Sequence, residues 1–290
     1  MNARDDFSAA LAVTAAGTGL GFASGRIQAV FCAQTARASW IGAVVAGLAF
    51  GLLMAMIAHL KRRTGAARFP GVYRRLLGCH AGELIGALYV IALGIAGLLL
   101  LASAAKVGAL ALPQRNAGII GALASLMLAA LIAGLGEGAL KAVGGGYVLL
   151  LMLLEAALWL LARELDAAKL QFAVDLRLRD SVPGAIVLGL LSACMSTALS
   201  AGVAVRTAGS RTSPSGMGLF CGLLFMLVNL AGNAALQRQR EEVLSLRTPF
   251  VALAAGWGTA GFYICAGMIF LGASVALAGI LLSLLRRKRC

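Results

Sequence analysis

The residues of this sequence that could do chemistry are few, and the densest group is Ala16-Gly17-Thr18-Gly19-Leu20-Gly21-Phe22-Ala23-Ser24-Gly25-Arg26, with four glycines and two hydroxyls inside an apolar run. Glycine costs about 1 kcal/mol against alanine in a helix interior, so a helix crossing this stretch is expected to unwind there. Unwound N–H groups at a helix N-terminus attract anions, and freed carbonyls bind cations. Glu155 is the one carboxylate deep in an apolar run. A charge in such a place is costly, and proton transfer is a common reason for keeping it. Glu83 and Glu137 sit at the edges of apolar runs, where a loop-facing carboxylate is expected. Arg26 could pair with an acid or an anionic solute, or face lipid headgroups. Asn229 and Asn233, one turn apart, are expected to join helices. His59 and His80 lack the neighbours of a metal site. The six cysteines, Cys32, Cys79, Cys194, Cys221, Cys265 and Cys290, are isolated, and four lie in apolar runs, where free thiols behave as small hydrophobes. No nucleophile elbow, Walker loop or HExxH motif occurs, so an enzyme is not expected.

What must position these residues follows from composition. Of 290 residues, 61% are hydrophobic and 12% charged, against about 45–50% and about 25% in soluble domains. The mean hydropathy is +0.92. These values exclude an ordinary water-soluble enzyme. They predict an all-α membrane protein, a single integral domain over residues 1–290. A span needs about 20 apolar residues. Eight such segments are present, at about 9–33, 39–60, 82–105, 117–135, 144–162, 183–205, 216–236 and 249–285. The last is long enough for two short helices turning near Gly272-Ala273-Ser274, but no charged or proline-containing turn interrupts it, so one long helix is expected.

The net charge of +14 would suit a nucleic-acid binder if the basic residues were spread over one surface. Instead they fall in the gaps between apolar runs, which points to the lipid bilayer as partner and away from nucleic acid. With the N-terminus in the cytoplasm, the two dense clusters, Lys61 to Arg75 and Arg286 to Arg289, both face inside, and so do 14 of the 25 basic residues. Both termini are thus expected in the cytoplasm. Ala36-Arg37-Ala38 offers a small-x-small cleavage site, but Asp5 and Asp6 spoil a positively charged signal region, so the first segment is expected to remain.

The glycine stretch admits two other readings. Gly17, Gly21 and Gly25 fall at the four-residue spacing that lets membrane helices pack closely. A dinucleotide-binding loop fails on spacing, on the absence of a preceding strand and on the absence of a following acid. Beyond these, Gly19-Leu20-Gly21-Phe22-Ala23-Ser24-Gly25-Arg26, followed by Phe31 and by Ser39-Trp40-Ile41-Gly42, resembles the opening signature of the YkvI family of bacterial membrane proteins. That family belongs with the LeuT-fold, amino acid-polyamine-organocation transporters. Gly134-Leu135-Gly136-Glu137-Gly138-Ala139-Leu140-Lys141 resembles the family's glycine-acid stretch between the fourth and fifth helices. The chain departs from the family pattern at Ile27, where an acid is usual, and at residues 191–197, where Tyr and Asn are usual.

The resemblance implies a shortened LeuT-like fold with about eight transmembrane helices, of which the first and sixth are discontinuous. It implies a bacterial inner-membrane secondary transporter that moves a small solute by alternating access. The solute would be an amino acid or similar zwitterion, its carboxylate held by the N–H groups near Ala23, Ser24 and Gly25. Thr18, Gly19, Gly21 and Phe22 would complete that wall, and Ser192, Ser196, Thr197 and Ser200 of the sixth helix would line the pocket. Coupling would use sodium, held near Gly17 with Ser274 (Thr259 being a poorer choice), or a proton on Glu155. No other cofactor is implied. The alternative is a scaffold or sensor that keeps the shortened fold without transporting.

Overall fold

The computed structural model describes residues 3–31, 35, 38–111, 114, 116–161, 181–209, 212–237 and 248–284. The expectations for Arg37, for the outward-facing basic residues between 163 and 179 and between 238 and 247, for Arg211 and Arg286 to Arg289, and for Cys32 and Cys290 lie outside them. Every regular element among the described residues is a helix. In order they are α1 (Ala3–Ala23), α2 (Arg26–Phe31), α3 (Ser39–Thr64), α4 (Phe69–Leu77), α5 (Cys79–Ala111), α6 (Ala117–Leu135), α7 (Glu137–Leu161), α8 (Val182–Thr207), α9 (Pro214–Gln237), α10 (Pro249–Ala255) and α11 (Thr259–Leu284).

Seven of these, α3, α5, α6, α7, α8, α9 and α11, are long and apolar enough to cross a membrane. Leu48, Leu52, Leu98, Met127, Leu153 and Leu219 are each more than half exposed, an apolar surface that suits lipid and not water. The chain is a polytopic membrane helix bundle. Its centre is formed by α1 and α11, which pack on each other, and α11 is the most enclosed of the seven long helices. α3 packs against α8 and α9 on one side, while α5 and α6 form the most lipid-exposed edge.

Contacts at one end of the bundle give the relative directions of its helices. Asp6 near the start of α1 accepts a hydrogen bond from the Ser213 N–H at 2.6 Å, just ahead of α9. Lys61 at the end of α3 donates to the Val205 carbonyl of α8 at 2.5 Å, and Arg62 donates to the Thr212 carbonyl. A Cβ at Gly202 would come within 2.2 Å of Ser283 Oγ near the end of α11. The starts of α1 and α9 therefore share a face with the ends of α3, α8 and α11. Since α1 begins and α3 ends on that face, the broken pair α1 and α2 runs the length of the bundle in the direction opposite to α3, beside the seven long helices found among the described residues.

Three expectations are corrected. The last segment is not one helix: α10 ends and α11 begins around Gly256-Trp257-Gly258, where Gly258 has φ 73. The turn lies far from Gly272-Ala273-Ser274, and two glycines with no charge were enough to make it. The sixth segment is not discontinuous, for α8 runs unbroken from Val182 to Thr207. It begins at Ser181, whose hydroxyl accepts from the Gly184 N–H at 3.2 Å. Two of its hydroxyls bond back to the helix, Ser200 Oγ to the Ser196 carbonyl at 2.7 Å and Thr207 Oγ1 to the Val203 carbonyl at 2.9 Å, while the buried Ser192 Oγ and Thr197 Oγ1 have no hydrogen-bond partner and the helix still stays closed. Finally, the basic stretch after α3 is more than a loop: Phe69 to Leu77 form the short amphipathic helix α4.

Candidate functional site

The first span does break, inside α1 at Gly19 and again at the turn of Ser24 and Gly25 (φ 75) that separates α1 from α2. Gly19 has φ 44 and ψ −149, a backbone geometry that a side chain makes costly. The break is clamped by neighbours. Tyr147 of α7, fully buried, donates from Oη to the Gly19 carbonyl at 2.5 Å. α11 comes so close that a Cβ at Gly272 would lie 2.8 Å from Tyr147 Oη and 2.9 Å from the Gly19 carbonyl oxygen. A buried carbonyl released from its helix needs such a donor.

Beyond the break the chain satisfies its own amides. The Ser24 N–H donates to the Leu20 carbonyl at 3.0 Å and the Gly25 N–H to the Phe22 carbonyl at 2.8 Å. Ser24 Oγ donates to the Gly21 carbonyl at 3.0 Å and accepts from the Arg26 N–H at 3.3 Å. The Ser24 carbonyl accepts from the Phe250 N–H of α10 at 3.1 Å, and the Phe250 ring fills the space beside Gly25. Phe22 and Ala23 are fully buried. The expected carboxylate cradle at Ala23, Ser24 and Gly25 is thus corrected: the amides of Ser24, Gly25 and Arg26 already have acceptors.

A half-open cavity of about 410 Å³ lies beside the break, its outer side bounded by the exposed Leu99 and Met195. Thr18, Gly19, Leu20 and Gly21 form one wall, Tyr89, Leu93 and Leu100 of α5 another, and Met195, Ala198 and Leu199 of α8 with Ala276 of α11 complete it. It is mostly apolar. Its few polar groups are engaged: Thr18 Oγ1 donates to the Thr14 carbonyl at 2.9 Å, Ser103 Oγ to the Leu99 carbonyl at 2.8 Å, and Tyr89 Oη accepts from the Gly202 N–H at 3.1 Å. Of the expected pocket residues, Thr18, Gly19 and Gly21 reach the cavity. Phe22, Ala23, Ser24, Gly25 and the α8 hydroxyls of Ser192, Ser196, Thr197 and Ser200 do not line it. Ser192, Ser196 and Ser200 are buried on a different face of α8; Gly17 meets that face, where its Cβ would lie 3.1 Å from the Ser196 carbonyl oxygen.

The expected sodium ligands also come apart. Ser274 Oγ pairs with Ser125 Oγ of α6 at 3.0 Å and donates to the Phe270 carbonyl at 2.9 Å, so it joins two helices. Thr259 opens α11 on an exposed turn. Glu155 is fully buried and accepts from Gln28 Nε2 of α2 at 2.6 Å. Asn233 Nδ2 donates to Ser39 Oγ of α3 at 3.0 Å, and Asn229 Nδ2 to the Phe225 carbonyl one turn back at 2.8 Å. Glu83 pairs with Arg74 at 3.5 Å on the surface. Cys221 and Cys265 are buried, whereas Cys79 and Cys194 are exposed. No cluster of three metal-ligating side chains occurs among the described residues.

Tyr147, Gln28, Tyr89 and Gly272 escaped sequence reasoning. The signal was there for the first two: a phenol and an amide inside apolar runs are costly to bury without a partner. No protein-family model matches the chain, and no curated protein matches it.

Proposed function

We propose that the chain is a secondary transporter of the bacterial inner membrane, moving a small solute by alternating access about the break in α1. One observation carries this: the backbone opens at Gly19 beside a cavity of about 410 Å³. Irregular backbone at membrane depth is tolerated where it is buried in protein or lines a cavity, and discontinuous helices are the usual substrate elements of such carriers. The resemblance of residues 19–26 to the YkvI family and its LeuT-like relatives supports the same reading. The dense basic cluster after α3 supports a cytoplasmic position for the shared face of the bundle.

The walls narrow the solute. With the amides of Ser24 and Gly25 engaged and aliphatic groups around the cavity, a small apolar or weakly polar molecule fits better than a zwitterion. Purified protein screened against small neutral solutes, apolar amino acids and charged amino acids should gain thermal stability with a narrow set from the first two groups. The same solutes should enter proteoliposomes, and Ala198→Phe, which fills the cavity, should abolish both effects. A second reading, a scaffold that does not transport, is favoured by the fully engaged amides after the break. A uniform absence of response across the panel would select it.

A further inference from the structure

We infer that Glu155 and Gln28 form a proton-binding site, in which a proton on Glu155 completes a second hydrogen bond between the two side chains. Its role in coupling rests on the carrier reading, while the site itself does not.

Gln28 Nε2 donates to Glu155 Oε1 at 2.6 Å, and both residues are fully buried. The other two oxygens of the same groups, Glu155 Oε2 and Gln28 Oε1, have no hydrogen-bond partner. Two acceptors cannot satisfy each other. A carboxylic acid facing a primary amide makes two antiparallel bonds, N–H to the acid carbonyl and O–H to the amide carbonyl. The first of these is present. A proton taken from water onto Oε2 supplies the donor for the second and cancels a buried charge that nothing else at the site offsets. Sodium would need several oxygens arranged around it, and the pair leaves two.

The surroundings are shaped for this pair. A Cβ at Gly232 of α9 would lie 2.5 Å from Gln28 Nε2 and 2.9 Å from Glu155 Oε1. α9 therefore meets the site with a residue that leaves room for both groups. The ionisable group set against Glu155 is Tyr147 on its own helix. The packed elements bring Gln28 and Gly232, and neither titrates. Tyr147 holds the Gly19 carbonyl and Glu155 holds Gln28 on the helix after the break, so α7 is tied to both sides of the break, and the second tie is strengthened by the proton. Losing it leaves one bond and a carboxylate that draws in water, which frees α2 to move.

Infrared difference spectroscopy of the full chain in lipid nanodiscs, between acidic and alkaline buffers, tests this. Wild type should show the C=O stretch of a buried carboxylic acid at neutral pH. Glu155→Gln should lack it, and Gln28→Leu should shift it upward as the acid loses its bonds. Gly232→Ala, whose methyl crowds the pair, should also shift it. Glu155→Gln places an N–H where the proton would sit, so it should melt no lower than wild type. No band separating wild type from Glu155→Gln would overturn the site, as would its loss on adding sodium at neutral pH. A band with a flat solute panel would support the site and sink the carrier reading.

Discussion

Tyr147 does for Gly19 what a helix turn would otherwise do, since its hydroxyl replaces a lost backbone donor. Tyr147→Phe keeps the ring and removes that donor, leaving a buried carbonyl bare at a cost of about 1–3 kcal/mol. Its thermal unfolding midpoint in detergent should fall clearly below wild type, and an unchanged midpoint would mean that another group caps Gly19. Gly19 was legible in the sequence as the middle of a glycine run. That Gly19 and Gly25 leave the helix while Gly17 and Gly21 do not was not legible, because all four lower helix propensity alike and the choice falls to the neighbours that can meet the freed groups.

Between elements, small residues set the distances. α3 and α9 come together at Gly47, Gly51, Gly218 and Gly222, so closely that a Cβ at Gly218 would lie 2.6 Å from Ala55 Cβ and 2.7 Å from the Gly51 carbonyl oxygen. Gly218→Leu must push the helices apart, and overpacking of this kind costs about 1–3 kcal/mol. A lower melting temperature with unchanged helical circular dichroism is the expected outcome. The boundaries of α6 and α9 followed almost directly from apolar runs and flanking polar residues. The division between α10 and α11 did not, since Gly256-Trp257-Gly258 is as apolar as the helix around it. The unbroken course of α8 was hidden for a related reason: hydroxyls that bond to their own helix, as those of Ser200 and Thr207 do, look in sequence like hydroxyls that line a pocket.

At the scale of the molecule, the contacts of Asp6, Lys61 and Ser283 gather one end of α1, α3, α8, α9 and α11 on a single face. α4 and the exposed thiol of Cys79 follow directly after α3. In a variant keeping Cys79 alone among the six cysteines, a membrane-impermeant maleimide should label inside-out vesicles and leave intact cells unlabelled. Labelling of intact cells would invert the proposed orientation.

Composition alone determined that this chain crosses a bilayer many times, because runs of about 20 apolar residues have no other stable home. The order of residues also located the weak point of the first span and the carboxylate of Glu155 deep in an apolar run. Only the tertiary structure decided what those residues meet: a phenol from α7 at the Gly19 carbonyl, an amide from α2 at Glu155, and aliphatic walls beside the break. Span formation depends on neighbours along the chain, whereas the partners of Glu155 and of the Gly19 carbonyl lie more than a hundred residues away. Packing alone brings them together.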